Sequence, residues 1–235
     1  MRVTVFLKGC PLHCLWCHNP EGISFEPQEN LRSGKVVGMT YAADELAARL
    51  SAYRDFFRLS GGGVTFSGGE ATAQPAFLYE VTQRLRGIHK VLDTSGHCEP
   101  QIFRRLSHQM DVFYYDLKIA DAQSHKKYTG KDNTWILENL AYLASKRRPY
   151  HIRIPLIPQI TDTAENLTGI ERILLALPSP PQSVDLLPYN KLAAGKYPMF
   201  AMAYPLAEWY TENCTEEIVS FAKRMKAKGF SVHQY

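Results

Sequence analysis

Residues 1–21 read Met1-Arg-Val-Thr-Val-Phe-Leu7-Lys-Gly-Cys10-Pro-Leu-His-Cys14-Leu-Trp-Cys17-His-Asn-Pro-Glu21. A run of β-branched and aromatic residues, Arg2–Leu7, breaks at Gly9 into a loop that carries three thiols. Similar runs return at Gly63–Phe66, Lys90–Asp93, Val112–Leu117, His151–Leu156 and Ser183–Leu187. Helical apolar spacing fills the intervals at Ala43–Arg58, Gln74–Arg86, Pro100–His108, Thr134–Ser145 and Ala164–Ala176. A last helical pattern, Thr215–Lys228, precedes a short terminal run, Phe230–His233. Strands that alternate with helices predict a parallel sheet with helices outside it. Six such units are too few for a full closed barrel. The expected fold is therefore α/β, a partial (β/α)6 barrel of parallel strands with outer helices.

Sites in parallel α/β barrels gather at the C-terminal ends of the strands. The notable residues of this chain lie there. The first strand runs into Lys8-Gly9-Cys10, the second into Ser67-Gly68-Gly69-Glu70, and the third ends in Asp93-Thr94-Ser95-Gly96. The fourth ends in Asp116-Leu117-Lys118, the fifth carries Arg153, and the sixth ends in Pro188-Tyr189-Asn190. One polar strand end is ordinary loop chemistry, whereas the whole set is better explained by one shared site.

The 235 residues are 45% hydrophobic and 21% charged, an ordinary globular composition that excludes disorder. No run of about 18 apolar residues is present, so no membrane partner is expected. A net charge of +4 is too weak to imply nucleic acid. The apolar stretch after Met1 is too short for a signal peptide. Five cysteines, three of them crowded into Cys10–Cys17, do not suit a disulfide framework. Together these features point to the reducing cytoplasm and a metal site. The chain reads as a single domain, 1–235, without a convincing linker. Phe25–Gly38 reads as a surface loop, Thr40 or Asp44 as the cap of the Ala43 helix, and Thr163 as the cap of the Ala164 helix.

Thiolates are soft ligands that suit iron–sulfur clusters, zinc or copper. A 4Fe–4S cluster ordinarily takes four cysteines, so Cys10, Cys14 and Cys17 alone would leave one iron open to a substrate or cofactor. Two other readings compete. Cys14-Leu-Trp-Cys17-His18 matches a c-type haem attachment pattern, which needs an exported protein and leaves Cys10 unused. Zinc on the three thiols and His18 is the other, although His18 adjoins Cys17 awkwardly for one tetrahedral site. Cys98 and Cys214 read as small hydrophobes.

The cysteine spacing followed by Gly68-Gly69-Glu70 resembles the radical S-adenosylmethionine superfamily. The surrounding segments are similar, in order, to the glycyl radical enzyme activating enzymes: Val5–Glu21, Ser60–Glu70, Leu92–Gly96, Tyr115–Lys118, Ile152–Pro155 and Leu186–Tyr189. The resemblance covers essentially the whole chain. It implies one 4Fe–4S cluster on Cys10, Cys14 and Cys17, with S-adenosylmethionine bound at the open iron. It also implies reductive cleavage to a 5′-deoxyadenosyl radical and hydrogen abstraction from a backbone glycine of a partner glycyl radical enzyme. An electron donor such as flavodoxin or ferredoxin is implied as well. The resemblance makes Lys118 and Arg153 the candidate catalytic residues. Lys118 would pair with the methionyl carboxylate, and Gly68 and Gly69 would let backbone approach the methionyl ammonium on a turn anchored by Glu70. Asp116 is expected on the opposite side of the strand from Lys118. Trp16 and His18 would lie near the adenine, with a packing role for Trp16 the alternative. Asp93, Thr94 and Asp116 would hold a monovalent cation, with structural hydrogen bonding the alternative.

The chain departs from the family pattern in three ways. Relatives carry an Asp-Gly-Pro-Gly element before the first strand, whereas here Met1 stands within that strand, which leaves open a longer natural N-terminus. Residues 18–60 contain no cysteine, so no ferredoxin-like insertion and only one cluster are expected. Asn190 stands where pyruvate formate-lyase activase has His, which puts that cofactor contact in doubt. The competing functions are a radical enzyme acting on a small molecule or peptide, and a structural zinc or binding protein.

Overall fold

The computed structural model describes residues 1–209 and 212–234. The first strand, β1 (Arg2–Leu7), leads to an antiparallel hairpin, β2 (Gln28–Asn30) and β3 (Lys35–Val37), and to two helices, α1 (Ala43–Ser51) and α2 (Arg54–Ser60). The chain then alternates. It runs through β4 (Gly63–Gly68), α3 (Pro75–Arg84), β5 (Lys90–Thr94), α4 (Pro100–Ser107) and β6 (Val112–Asp116). Two helices follow, α5 (Ala122–Thr129) and α6 (Thr134–Ser145), then β7 (Tyr150–Leu156), α7 (Ala164–Ala176) and β8 (Ser183–Pro188). A 3-10 segment, Leu192–Phe200, precedes α8 (Thr215–Ala227) and β9 (Val232–Gln234).

Seven strands form one parallel sheet in the order β1-β4-β5-β6-β7-β8-β9. All six expected strands are in it, and the terminal run adds a seventh. Among the described residues β1 and β9 pair on one side only, so the sheet stays open, as expected of a partial barrel. Side chains alternate across the strands. On β5, β6 and β7 one face carries Leu92, Phe113, Tyr115, Ile152 and Ile154, which pack in the main core with Leu78 of α3, Phe103 of α4, Leu140 of α6 and Ile170 of α7. The other face carries Asp93, Tyr114, Asp116, His151 and Arg153. Parallel register sets Leu7 beside Gly68, Asp116 beside Arg153, and Leu156 beside Pro188, so the strand ends form one rim.

Several elements differ from the sequence expectations for local reasons. Phe25–Gly38 contains the β2–β3 hairpin, because Asn30 Oδ1 accepts from Arg32 N and Ser33 N and Gly34 supplies a φ of 65° at the turn. Ala43–Arg58 is two helices: Tyr53 N–H tightens onto Leu50 O and Arg54 starts again. The residue before α1 is Ala42, and neither Thr40 nor Asp44 caps it. Thr163 does cap α7, accepting from Asn166 N. α5 has weak apolar periodicity and was not expected. Asp121 starts it by accepting from Ser124 N, and Gly130 ends it at a φ of 85°.

Candidate active site

The rim of the sheet encloses a cavity of about 560 Å³. Cys10, Cys14 and Cys17 line one wall. Gly68, Gly69, Asp93 and Thr94 come from the ends of β4 and β5, Asp116 and Lys118 from the end of β6, and Arg153 from β7. Trp16, His18 and Asn190 also line it. Of the expected site residues only Glu70 stays outside, 1% exposed.

The cysteine loop is held by its neighbours rather than by its own secondary structure. His13 N donates to Thr129 O at 2.7 Å and Leu15 N to Tyr128 O at 3.1 Å, so α5 backs the loop. Cys10 N donates to Ile23 O, and Gly9 N to Gly22 O. The three thiols are free. Burial, aided by the Glu70 carboxylate, pushes the Cys10 thiol up to about 12. Burial pushes Cys14 up to about 12 against the pull of Lys118, and raises Cys17 as well. Burial and then Lys196 hold the His18 pKa below its ordinary value.

Gly69 is required by a backbone crossing. A Cβ there would lie 2.2 Å from Gly22 O and 2.6 Å from Gly9 O, so the Gly-Gly turn packs directly on the cysteine loop. Gly68, at a φ of 122°, faces Leu7 backbone equally closely. Glu70 braces the turn from beneath. Its carboxylate accepts from Thr72 N and Oγ1, Thr94 Oγ1, Ser95 N and Ser95 Oγ at 2.6–3.1 Å. Its place in this structure is that of a brace behind the cavity wall.

The floor of the cavity is an ionic network. Arg153 Nε donates to Asp116 Oδ1 at 2.9 Å, and Arg153 also pairs with Asp93. Lys118 Nζ donates to Asp116 Oδ2 at 2.6 Å, and Ser67 Oγ to Asp93 Oδ2 at 2.8 Å. The expectation that Asp116 and Lys118 point to opposite sides is corrected here, because residues two apart on extended chain share a face. Burial works against the charge on Asp116, but Arg153 and Lys118 outweigh it and lower its pKa. Burial likewise opposes the Lys118 ammonium, and Asp116 outweighs it and raises the pKa. Asp93 and Asp116 share Arg153 as a partner, and burial still holds the Asp93 pKa above its ordinary value. The Thr94 hydroxyl donates to Glu70 while accepting from Gly96 N, so the three residues are hydrogen-bonded within the protein.

Trp16 is 5% exposed and belongs to a second apolar cluster with Ile119, Ile157, Ile160, Tyr197, Tyr204 and Leu206. It packs and lines the cavity at once. Asn190 Oδ1 accepts from Leu192 N at 3.2 Å, which starts the 3-10 segment. Among the described residues no three His, Cys, Asp or Glu side chains converge on one metal ion. Lys196 and Tyr197 were missed from sequence, and nothing local marks them.

An open parallel barrel with three loop thiols above a carboxylate–cation floor defines a radical S-adenosylmethionine protein. The family model described as "Radical SAM superfamily" matches residues 4–167, and the chain belongs to that superfamily. Within it the chain is one of the glycyl radical enzyme activating enzymes. It is 32% identical to the trans-4-hydroxy-L-proline dehydratase activating enzyme of Clostridioides difficile, over 96% of this chain and 90% of that protein. It is 33% identical to the pyruvate formate-lyase-activating enzyme of Listeria monocytogenes, over 96% and 89% respectively. A crystal structure of a domain of pyruvate-formate lyase-activating enzyme from Bacteroides vulgatus superposes with a TM-score of 0.61 at 26% identity, covering 74% of this chain and 99% of that one.

Proposed function

We propose that this enzyme installs a glycyl radical on a partner protein, using one 4Fe–4S cluster held by Cys10, Cys14 and Cys17 together with S-adenosylmethionine. The observation that carries the reading is the meeting of three half-buried thiols with Lys118, Asp116 and Arg153 across one cavity in an activating-enzyme chain. A cluster held there would supply the electron for cleaving S-adenosylmethionine to methionine and a 5′-deoxyadenosyl radical, the chemistry needed to take a hydrogen atom from a glycine Cα of the partner.

The chain's own residues bind, orient and shield. Burial keeps the three thiols protonated when they are unligated, so loading a cluster displaces their protons. Lys118 offers its ammonium to the methionyl carboxylate, which replaces Asp116 as its partner, and Arg153 keeps Asp116 charged and in place. The peptide groups of Gly68 and Gly69 receive the methionyl ammonium. Trp16 and His18 stand beside the adenine, and Asn190 offers an uncharged hydrogen bond at the far wall. Leu12 and Ile157 line the cavity with apolar surface that excludes water from the radical.

The absence of cysteine from residues 18–60 supports a single cluster and a single domain without a ferredoxin-like insertion. The electron donor is proposed to be a flavodoxin or ferredoxin. No helix among the described residues is long and apolar enough to cross a membrane, and the cytoplasm is the proposed location. The two curated relatives are similarly identical to this chain yet are named for different partner enzymes, so identity alone does not select the partner.

The test is to reconstitute the protein anaerobically, assay iron and sulfide, and mix the reduced enzyme and S-adenosylmethionine with candidate glycyl radical enzymes. Electron paramagnetic resonance is expected to show a glycyl doublet on one of them. Zinc without sulfide, or deoxyadenosine formation with no protein radical on any candidate, would sink the proposal.

A further inference from the structure

The 3-10 segment Leu192–Phe200 grips the chain just past the third thiol. Lys196 Nζ donates to His18 O at 3.0 Å, Asn19 Oδ1 at 3.3 Å and Glu21 Oε1 at 2.8 Å. Beside it Tyr197, 2% exposed, donates its hydroxyl to Cys17 O at 3.0 Å. Glu21 is itself anchored, because Lys8 Nζ donates to its carbonyl at 2.5 Å and to Gln28 Oε1 at 3.3 Å. The other end of the segment is tied to the hairpin by Leu31 N–H donating to Met199 O at 2.8 Å. These bonds leave consecutive carbonyls, those of Cys17 and His18, fixed by one short strap. That strap continues directly from Tyr189 and Asn190, which form a wall of the cavity.

The Cys10 and Cys14 side of the loop is held differently, by backbone bonds to Ile23 and to the end of α5. Cys17 alone depends on side chains of the 192–200 segment. The Lys196 ammonium also places a positive charge next to this turn, in addition to that of Lys118 on the cavity side. Lys196 is half-exposed, and Glu21 is its ion-pair partner. Groups just outside a metal's ligands orient those ligands and tune the metal, and their loss typically costs about ten- to a hundred-fold in metal affinity or activity.

We infer that Lys196 is a positioning residue for the cluster: with Tyr197 it fixes the backbone that presents Cys17, and its charge favours the reduced, more negative cluster. This rests on the reading that the three thiols hold a 4Fe–4S cluster. The experiment compares wild type, Lys196→Met, Lys196→Arg and Tyr197→Phe after anaerobic reconstitution. It measures the rate of iron release to a chelator, and the midpoint potential by titration followed by electron paramagnetic resonance. Lys196→Met is expected to release iron about ten-fold faster or more and to shift the potential to a more negative value. Lys196→Arg is expected to recover both toward wild type. Tyr197→Phe, which removes one hydrogen bond and no charge, is expected to release iron faster with the potential held. Wild-type release rates in both Lys196→Met and Tyr197→Phe would overturn the inference, as would an arginine variant no better than methionine. A wild-type protein that assembles no cluster would overturn the thiol assignment itself, and with it everything built on Lys196.

Discussion

Lys118 and Asp116 stand on one face of the same strand end, Nζ 2.6 Å from Oδ2, and Lys118 is 9% exposed. The lysine that faces the cavity is therefore already charge-paired. A ligand carboxylate must compete with an internal one, and it succeeds only if Arg153 can keep Asp116 satisfied.

Replacing Lys118 with Met is expected to weaken S-adenosylmethionine binding by roughly ten- to a hundred-fold, the loss of one charge-assisted hydrogen bond of about 1.5–3 kcal/mol. The cluster is expected to remain. Equilibrium dialysis with iron quantified in the same samples checks this, and unchanged affinity would mean that Lys118 serves Asp116 alone.

Two glycines separate steric need from backbone need. Gly69→Ala drives a Cβ into the carbonyls of Gly22 and Gly9, so the cysteine loop must move. We expect a loss of about 1–3 kcal/mol and poor cluster loading. Gly61 has open space around it and a φ of 62°. Gly61→Ala is expected to cost about 1 kcal/mol with loading intact. Equal loading in both variants would contradict the crossing of turn and loop.

Glu70 satisfies donors from Thr72, Thr94 and Ser95, all buried. Glu70→Ala strands them and is expected to cost about 3 kcal/mol or more, whereas Gln, which keeps one acceptor, costs less. Urea denaturation ranks the two variants; an alanine variant as stable as wild type would show that the brace is dispensable.

His125 is 1% exposed, its Nδ1 bonded to Lys131 O at 2.6 Å, and burial pushes its pKa down to about 4. The folded ring stays neutral while the unfolded one takes a proton near pH 6.5. The stability it contributes is thus whole above 6.5 and falls as the pH drops toward 4, by roughly 3 kcal/mol in all. His125→Asn, which can keep the bond to Lys131 O, is expected to flatten that part of the urea stability profile between pH 7.5 and 4.5. A parallel profile in the variant would assign the acid sensitivity elsewhere.

Much of the barrel was readable because β-branched runs and helical spacing alternate, and because each strand ends in polar residues that only a shared rim explains. That Cys10, Cys14 and Cys17 share one loop was readable from their spacing. What escaped were features made by contact between distant segments. The α5 helix looks polar in sequence because its buried residues, His125 and Thr129, are polar. The hairpin at Gln28–Val37 is set by Asn30 and Gly34 rather than by an apolar pattern. Glu70 was readable as the anchor of its turn, but its partners Thr94 and Ser95, at the end of another strand, were not. The pairing of Asp93 and Asp116 with Arg153 depends on the register of β5, β6 and β7.

The hydroxyl that holds the Cys17 carbonyl belongs to a residue 180 positions later in the chain. During synthesis the thiols emerge well before Tyr197 and Lys196. Until those residues are made the cysteine loop has no strap, and for much of that interval the cavity lacks its Tyr189–Asn190 wall. On the proposed reading, cluster insertion belongs after Tyr197 has joined the fold. A ribosome stalled before residue 190 would present a thiol loop that can still be oxidised or take up the wrong metal.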